Sequence, residues 1–163
     1  MPAGVVPVLG PVASGLPVTY IATSQPLDGE MNERVLLHRQ RRPDDWGLIE
    51  EPLALAAVLR AEAAEGRCLL VDCLTLWLTN LLMLEDDQRL AEERDALLAC
   101  LEQLPGTLIL VSNETGLGVV PMGELTRRYV DLAGWLHQAV AERCQRVVLT
   151  VAGLPLILKG PAL

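Results

Sequence analysis

CLLVDCLTLWLTNLLML, residues 68–84, is the stretch on which the fold turns. From Arg67 to Cys73 the chain reads as a short apolar strand that closes on an acid, Asp72. From Thr75 to Leu84 the apolar residues recur at helical spacing. The seventeen residues approach the length of a membrane span, but Asp72, Thr75, Thr79 and Asn80 interrupt them. A buried strand feeding a buried helix accounts for the stretch instead, and that pair is the building unit of an α/β protein.

The same alternation continues in both directions. Downstream, Glu85 to Gln88 form a polar break, and Arg89 to Leu104 make a charged amphipathic helix. Pro105-Gly106 turn the chain into Thr107–Ser112, a strand fit for burial on both faces. Residues 113–123 form a Gly/Pro-bearing loop and Glu124 to Arg143 a helix. Arg146–Val151 and Leu154–Leu158 read as two last strands, with a turn at Ala152-Gly153-Leu154-Pro155. Upstream, Pro52 opens and Gly66 stops a helix over residues 52–65, and Val18 to Ala22 is a strand. The expected architecture is a mostly parallel sheet with helices on both faces. Ligands of such sheets bind beyond the carboxyl ends of the strands. Thr23-Ser24, Asp72 and Asn113-Glu114 all stand at such ends; one polar strand end alone is a solvated turn, whereas three together point to a site.

Composition narrows the function. The 163 residues suffice for one domain, 1–163, with a sizeable core, and a net charge of −8 disfavours a nucleic-acid partner. A single nucleotide remains compatible, because a local basic pocket such as Arg34–Arg42 suffices. Cys68, Cys73, Cys100 and Cys144 show no C-x-x-C pairing and read as reduced thiols of a cytoplasmic protein. The N-terminus has no signal-peptide pattern. A mean hydropathy of +0.33 without a membrane span is more apolar than one core needs, which points to a homo-oligomer. The helices at Leu74–Leu84 and around Trp135 are the candidate contacts. Trp46 and Trp77 join Trp135 as core or interface anchors, and His137 is expected to be structural or at a subunit contact.

The chemistry concentrates in YIATSQPLDGEMNERVLLHRQRRPDDW, residues 20–46. A polar turn leads from the strand into a short helix, with Asp28 as its N-cap and Pro43 as its stop. Arg34, His38 and Arg42 recur at i, i+4 and i+8 and share one face. Fixed positive charge disfavours a protonated imidazole, so His38 is expected to be neutral and nucleophilic. Read bare, the pattern is more often that of a solvated helix face.

The wording of these segments resembles the bifunctional adenosylcobinamide kinase / adenosylcobinamide-phosphate guanylyltransferase family. The matching residues are Tyr20 to Ser24, Asp28, Glu30, Met31, Arg34, Val35, His38, Arg42, Pro43, Trp46 and Glu50. LLVDCLTLWLTNLL (69–82), LVSNETGLGVVP (110–121), RRYVDLAGWLHQAVA (127–141) and VAGLPLILKG (151–160) continue the likeness to the C-terminus. The resemblance implies a P-loop NTPase-like (RecA-like) fold and a place in cobalamin biosynthesis. His38 would attack the α-phosphate of GTP and carry GMP to adenosylcobinamide phosphate. Thr23, Ser24, Gln25, Arg39, Gln40, Arg41, Arg42, Glu50 and Asp72 would bind GTP, with ATP as an alternative phosphate donor. Asp72 would hold Mg²⁺, its bland alternative being a helix N-cap; Glu50 would accept hydrogen bonds from guanine or else be a surface carboxylate. The family adds adenosylcobinamide as the kinase substrate and a trimer as the assembly.

One family motif is missing from the sequence. Members open with a strand and G-G-x-x-S-G-K-S, a phosphate-cradling loop. This chain opens MPAGVVPVLGPVASGLPVTY and has no lysine before Lys159. Val5–Leu9 reads as the first strand, joined directly at Val12 to Gly15 to the tail of the next helix, as if the phosphate loop and most of that helix were deleted. The expectation is a guanylyltransferase with a weak or lost kinase step. The alternative is a non-catalytic degenerate member acting as a corrinoid- or nucleotide-binding subunit.

Overall fold

The structure is a computed structural model that describes residues 15–25, 43 and 45–161. The expectations placed on Val5–Leu9, on the helix from Asp28 to Arg42, and on His38, Arg39, Gln40, Arg41 and Arg42 lie outside these residues. Among the described residues the strands are β1 (Val18–Ala22), β2 (Gly47–Glu50), β3 (Cys68–Asp72), β4 (Thr107–Val111), β5 (Val147–Val151) and β6 (Leu154–Lys159). The helices are α1 (Leu55–Glu62), α2 (Leu74–Met83), α3 (Asp87–Leu101) and α4 (Glu124–Arg143).

Four strands form a sheet in the order β2-β1-β3-β4, parallel at every pairing. Its interior strands carry little but branched and apolar residues, as burial on both faces demands. Alternation divides the sheet in two. Ile21, Leu69 and Val71 join the main core with residues of all four helices, among them Leu59, Trp77, Leu97 and Leu136. Val18, Cys68 and Leu70 point the other way and pack with Leu16, Tyr20, Trp46, Ile109 and Val111. All the described helices therefore cover one face.

Local chemistry sets the element ends. Expected to start at Pro52, α1 begins at Leu55, because the Glu51 Oε1 accepts from the backbone N–H groups of Leu53 (2.9 Å) and Ala54 (2.8 Å) and occupies the turn ahead of it. Asp86 caps α3 by accepting from the Arg89 N–H at 3.0 Å, so that helix opens at Asp87 rather than Arg89. Fully buried, Trp77 donates its indole N–H to the Leu53 carbonyl at 2.8 Å. Trp135 is 62% exposed.

Three readings change. β2 was not expected: GLIE is too short to show a period, and only its pairing with β1 makes it a strand. The two last strands exist but pair antiparallel as a hairpin of their own, closed by Ala152 (φ 52°) and Gly153 (φ 78°). Positive φ at both turn residues matches the right-handed strand twist. Finally, α2 is the buried helix expected after β3, and the burial of its apolar face within the chain leaves little of it for the subunit contact also expected there. Leu74, Trp77, Leu78, Leu81 and Leu82 are buried, and exposed apolar side chains stand on the hairpin, on the loop before α4, on α4 at Leu125 and Trp135, and at the end of α2 at Met83 and Leu84.

Candidate functional site

The carboxyl ends of the four parallel strands form one edge. Glu50, Ala22, Asp72 and Val111 stand in a single row across it, because β1 pairs Ala22 with both Glu50 and Asp72, and β3 pairs Asp72 with Val111. Residues of one row point to one face, here the face opposite the helices. Glu50 and Asp72 are two strand spacings apart, about 10 Å.

Asp72 is half-buried and its Oδ2 accepts the Tyr20 hydroxyl at 2.7 Å, a short charge-assisted bond that fixes the carboxylate. The pairing follows from register, since Tyr20 is opposite Leu70 and Asp72 is two residues on, on the same face. Sequence reading had not connected these two groups.

Thr23 is fully buried. Its hydroxyl donates to the Cys73 carbonyl at 2.7 Å and accepts from the Cys73 N–H at 2.9 Å, using both of its capacities. The Thr23 carbonyl accepts from Asn80 Nδ2 at 2.7 Å, and the same amide donates to the Pro52 carbonyl at 3.1 Å. Thr23 thus stitches the end of β1 to the turn between β3 and α2, and Asn80 locks it there from within an apolar helix. Ser24 and Gln25 follow, both half-buried, at the same edge. Of the expected site residues, the structure brings Thr23, Ser24, Gln25, Glu50 and Asp72 together.

A second polar group continues along the edge past β4. The Ser112 Oγ lies 2.7 Å from His137 Nε2, and His137 Nδ1 lies 3.7 Å from Glu114 Oε2. Thr75 Oγ1 accepts from the Asn113 N–H at 2.9 Å and lies 3.5 Å from Ser112 Oγ. Glu114 Oε1 is steadied by the Gly116 N–H at 2.6 Å. His137, expected to be structural or at a subunit contact, meets a strand-end serine. No local pattern joins residues 25 positions apart; only the crossing of α4 over β4 does. Arg127 bonds the carbonyls of Pro121 and Met122, and Arg128 pairs with Asp87, so both serve their own surroundings.

Burial pushes the thiols of Cys68, Cys73, Cys100 and Cys144 above the usual cysteine range. All four are free, as expected. Among the described residues no three His, Cys, Asp or Glu side chains group as a self-sufficient metal centre. No described helix is long and apolar enough to cross a membrane.

Residues 10–158 match the family described as cobinamide kinase / cobinamide phosphate guanyltransferase. The bifunctional adenosylcobalamin biosynthesis protein CobP of Pseudomonas aeruginosa is 71% identical over 150 residues, covering 92% of this chain and 87% of that protein. Two proteins named bifunctional adenosylcobalamin biosynthesis protein CobU, from Escherichia coli and Salmonella typhimurium, are each 34% identical over 155 residues, covering 87% of this chain and 86% of theirs.

Proposed function

The chain belongs to the cobinamide kinase / cobinamide phosphate guanyltransferase family, and from that premise we propose that it acts in cobalamin biosynthesis by moving GMP from GTP to adenosylcobinamide phosphate. The observation that supports this best is the row Glu50–Ala22–Asp72 at the edge where the chain leaves β1 through Thr23, Ser24 and Gln25 towards the His38 motif.

In the first step a His38 ring nitrogen attacks the α-phosphorus. The P–N bond forms, the α–β bridging P–O bond breaks, and pyrophosphate leaves. In the second, a phosphate oxygen of the corrinoid attacks, the P–N bond breaks, and GMP passes to the acceptor as a phosphoanhydride. Splitting the transfer in this way gives each half an in-line displacement with a stable nucleophile. Arg39, Arg41 and Arg42, with Gln40 among them, neutralise and orient the phosphates.

Glu50 and Asp72 are far enough apart to serve different ends of one nucleotide, Glu50 the guanine and Asp72 the phosphates. Asp72 suits Mg²⁺, which takes one or two carboxylates and completes its shell with phosphate oxygens and water. When bound, the ion would offset charge on the phosphates. Tyr20 holds that carboxylate in place. Thr23 contributes by positioning, since its hydroxyl is already engaged by Cys73. The kinase half is weak in this sequence, because positioning and electrostatics are nearly all of phosphoryl transfer and no G-K-S loop is present to supply them. The whole chain, 1–163, serves as one cytoplasmic nucleotide-binding domain.

The test is incubation with GTP labelled at the α-phosphate. Acid-labile label should appear on the protein, vanish in His38→Ala, and chase onto adenosylcobinamide phosphate. Label that persists in His38→Ala removes that residue from its role. No label at all favours the reading as a non-catalytic binding subunit.

A further inference from the structure

We propose that Ser112, His137 and Glu114 form a second nucleophilic centre, able to take an acyl or phosphonyl group on the Ser112 Oγ and to hydrolyse small activated esters. The three side chains come from different places: the end of β4, the loop after it, and α4. Ser112 Oγ and His137 Nε2 are 2.7 Å apart, within the range for a base that takes a hydroxyl proton. Glu114 stands 3.7 Å from the other ring nitrogen, at ion-pair distance. A carboxylate there favours the tautomer with the proton on Nδ1, so that Nε2 presents its lone pair to Ser112. It also stabilises the imidazolium that forms once the serine proton has moved. The carboxylate does not swing freely, because its Oε1 accepts the Gly116 N–H.

Position supports access. The pair lies at the carboxyl end of a parallel strand, where α/β sheets open to ligands. Ser112 is half-buried, and the His137 and Glu114 side chains are 23% and 37% exposed. The Tyr129 hydroxyl is buried beside Thr75, Thr115 and Glu114, next to this cluster.

The reaction balances without an added cofactor. Ser112 Oγ bonds to the acyl carbon, its proton passes to His137 Nε2, and the ester C–O bond breaks with the proton returned to the leaving alcohol. Water then repeats the sequence and releases the acid, so that ester plus water gives acid plus alcohol. A fluorophosphonate follows the first half only: the Ser112 O–P bond forms, the P–F bond breaks, and fluoride leaves.

The experiment treats the full chain with a fluorophosphonate probe and maps the adduct by peptide mass spectrometry, alongside burst kinetics with p-nitrophenyl acetate. The adduct should sit on Ser112 and be absent in Ser112→Ala. His137→Gln, which keeps the side chain polar, should slow labelling by about 100-fold or more, the lower end of general-base effects. Glu114→Gln should slow it by about tenfold or more, through the tautomer. Denaturation midpoints equal to the parent's show that the variants fold. His38→Ala should label at the parent rate, which separates this centre from the guanylyl transfer. No adduct on Ser112, or an undiminished rate in His137→Gln at an unchanged midpoint, overturns the proposal.

Discussion

Thr23 shows how much one hydroxyl settles. It was expected, with Ser24 and Gln25, to be a GTP contact, yet its two hydrogen bonds go to a backbone amide and carbonyl of Cys73 inside the protein. Thr23→Val keeps the shape and deletes both bonds, leaving a buried N–H and C=O to find other partners. The expected cost is about 1–3 kcal/mol, read as a lower urea midpoint at an unchanged slope. GMP labelling should fall with it, because the turn that carries Asp72 is no longer held to β1. Asn80 belongs to the same group, and it was visible in the sequence only as a polar interruption of an apolar helix. What it bonds, the carbonyls of Thr23 and Pro52, could not be read from spacing.

At the scale of elements, the turn from α3 into β4 carries a sharp constraint. Gly106 has φ of +81°, and a Cβ there would meet the Ala64 carbonyl oxygen at 2.2 Å and that of Arg67 at 2.8 Å. Both are backbone atoms of the neighbouring turn into β3, so neither can yield like a side chain. The Thr107 N–H also donates to the Arg67 carbonyl at 2.9 Å, which fixes the entry of β4 beside β3. Gly106→Ala is therefore expected to destabilise by about 1–3 kcal/mol or more, from the left-handed backbone together with the close approach. Thermal or urea unfolding measures it. Pro105-Gly106 was recognisable as a turn, whereas the contact that makes glycine necessary comes from a segment some forty residues away.

At the scale of the whole molecule, the described residues expose apolar side chains as well as burying them. Leu154 is 71% exposed, Leu158 59% and Val151 58%, all on the β5–β6 hairpin, and Trp135 adds a large exposed ring on α4. Among the described residues no helix is long and apolar enough to cross a membrane, and we propose that this surface is a contact between subunits, which closed symmetry would cover on every copy. Sedimentation equilibrium at micromolar concentration should give a multiple of 17.7 kDa, three by the family resemblance, and Leu154→Asp should shift it towards the monomer. Alkaline pH tests the core. Burial raises the pKa of Cys68, Cys73, Cys100, Cys144 and Tyr129 in the folded chain. The unfolded chain therefore loses these protons first. Stability is full below the unfolded thiol pKa, about 8.5, and is lost as pH rises through the folded values. The urea midpoint should be lower at about pH 9.5 than at pH 7, and the thiols should react slowly with a disulfide reagent until the protein unfolds.

The sequence by itself determined the class of fold, the order of the described strands and helices apart from β2, and the polar residues at the strand ends. Local periodicity, capping and turn chemistry act between neighbours, and neighbours are what a sequence displays. The family was legible too, because its motifs are short contiguous strings. Only the tertiary structure decided that GLIE is a strand, that the last two strands leave the main sheet as a hairpin, and that Glu50 and Asp72 share a row. Only it joined Tyr20 to Asp72, Thr23 to Cys73, and Ser112 to His137 and, at ion-pair distance, to Glu114 beyond. These depend on register and crossing between segments far apart in the chain, and the energy that fixes them, burial of two sheet faces, has no signature at any one position.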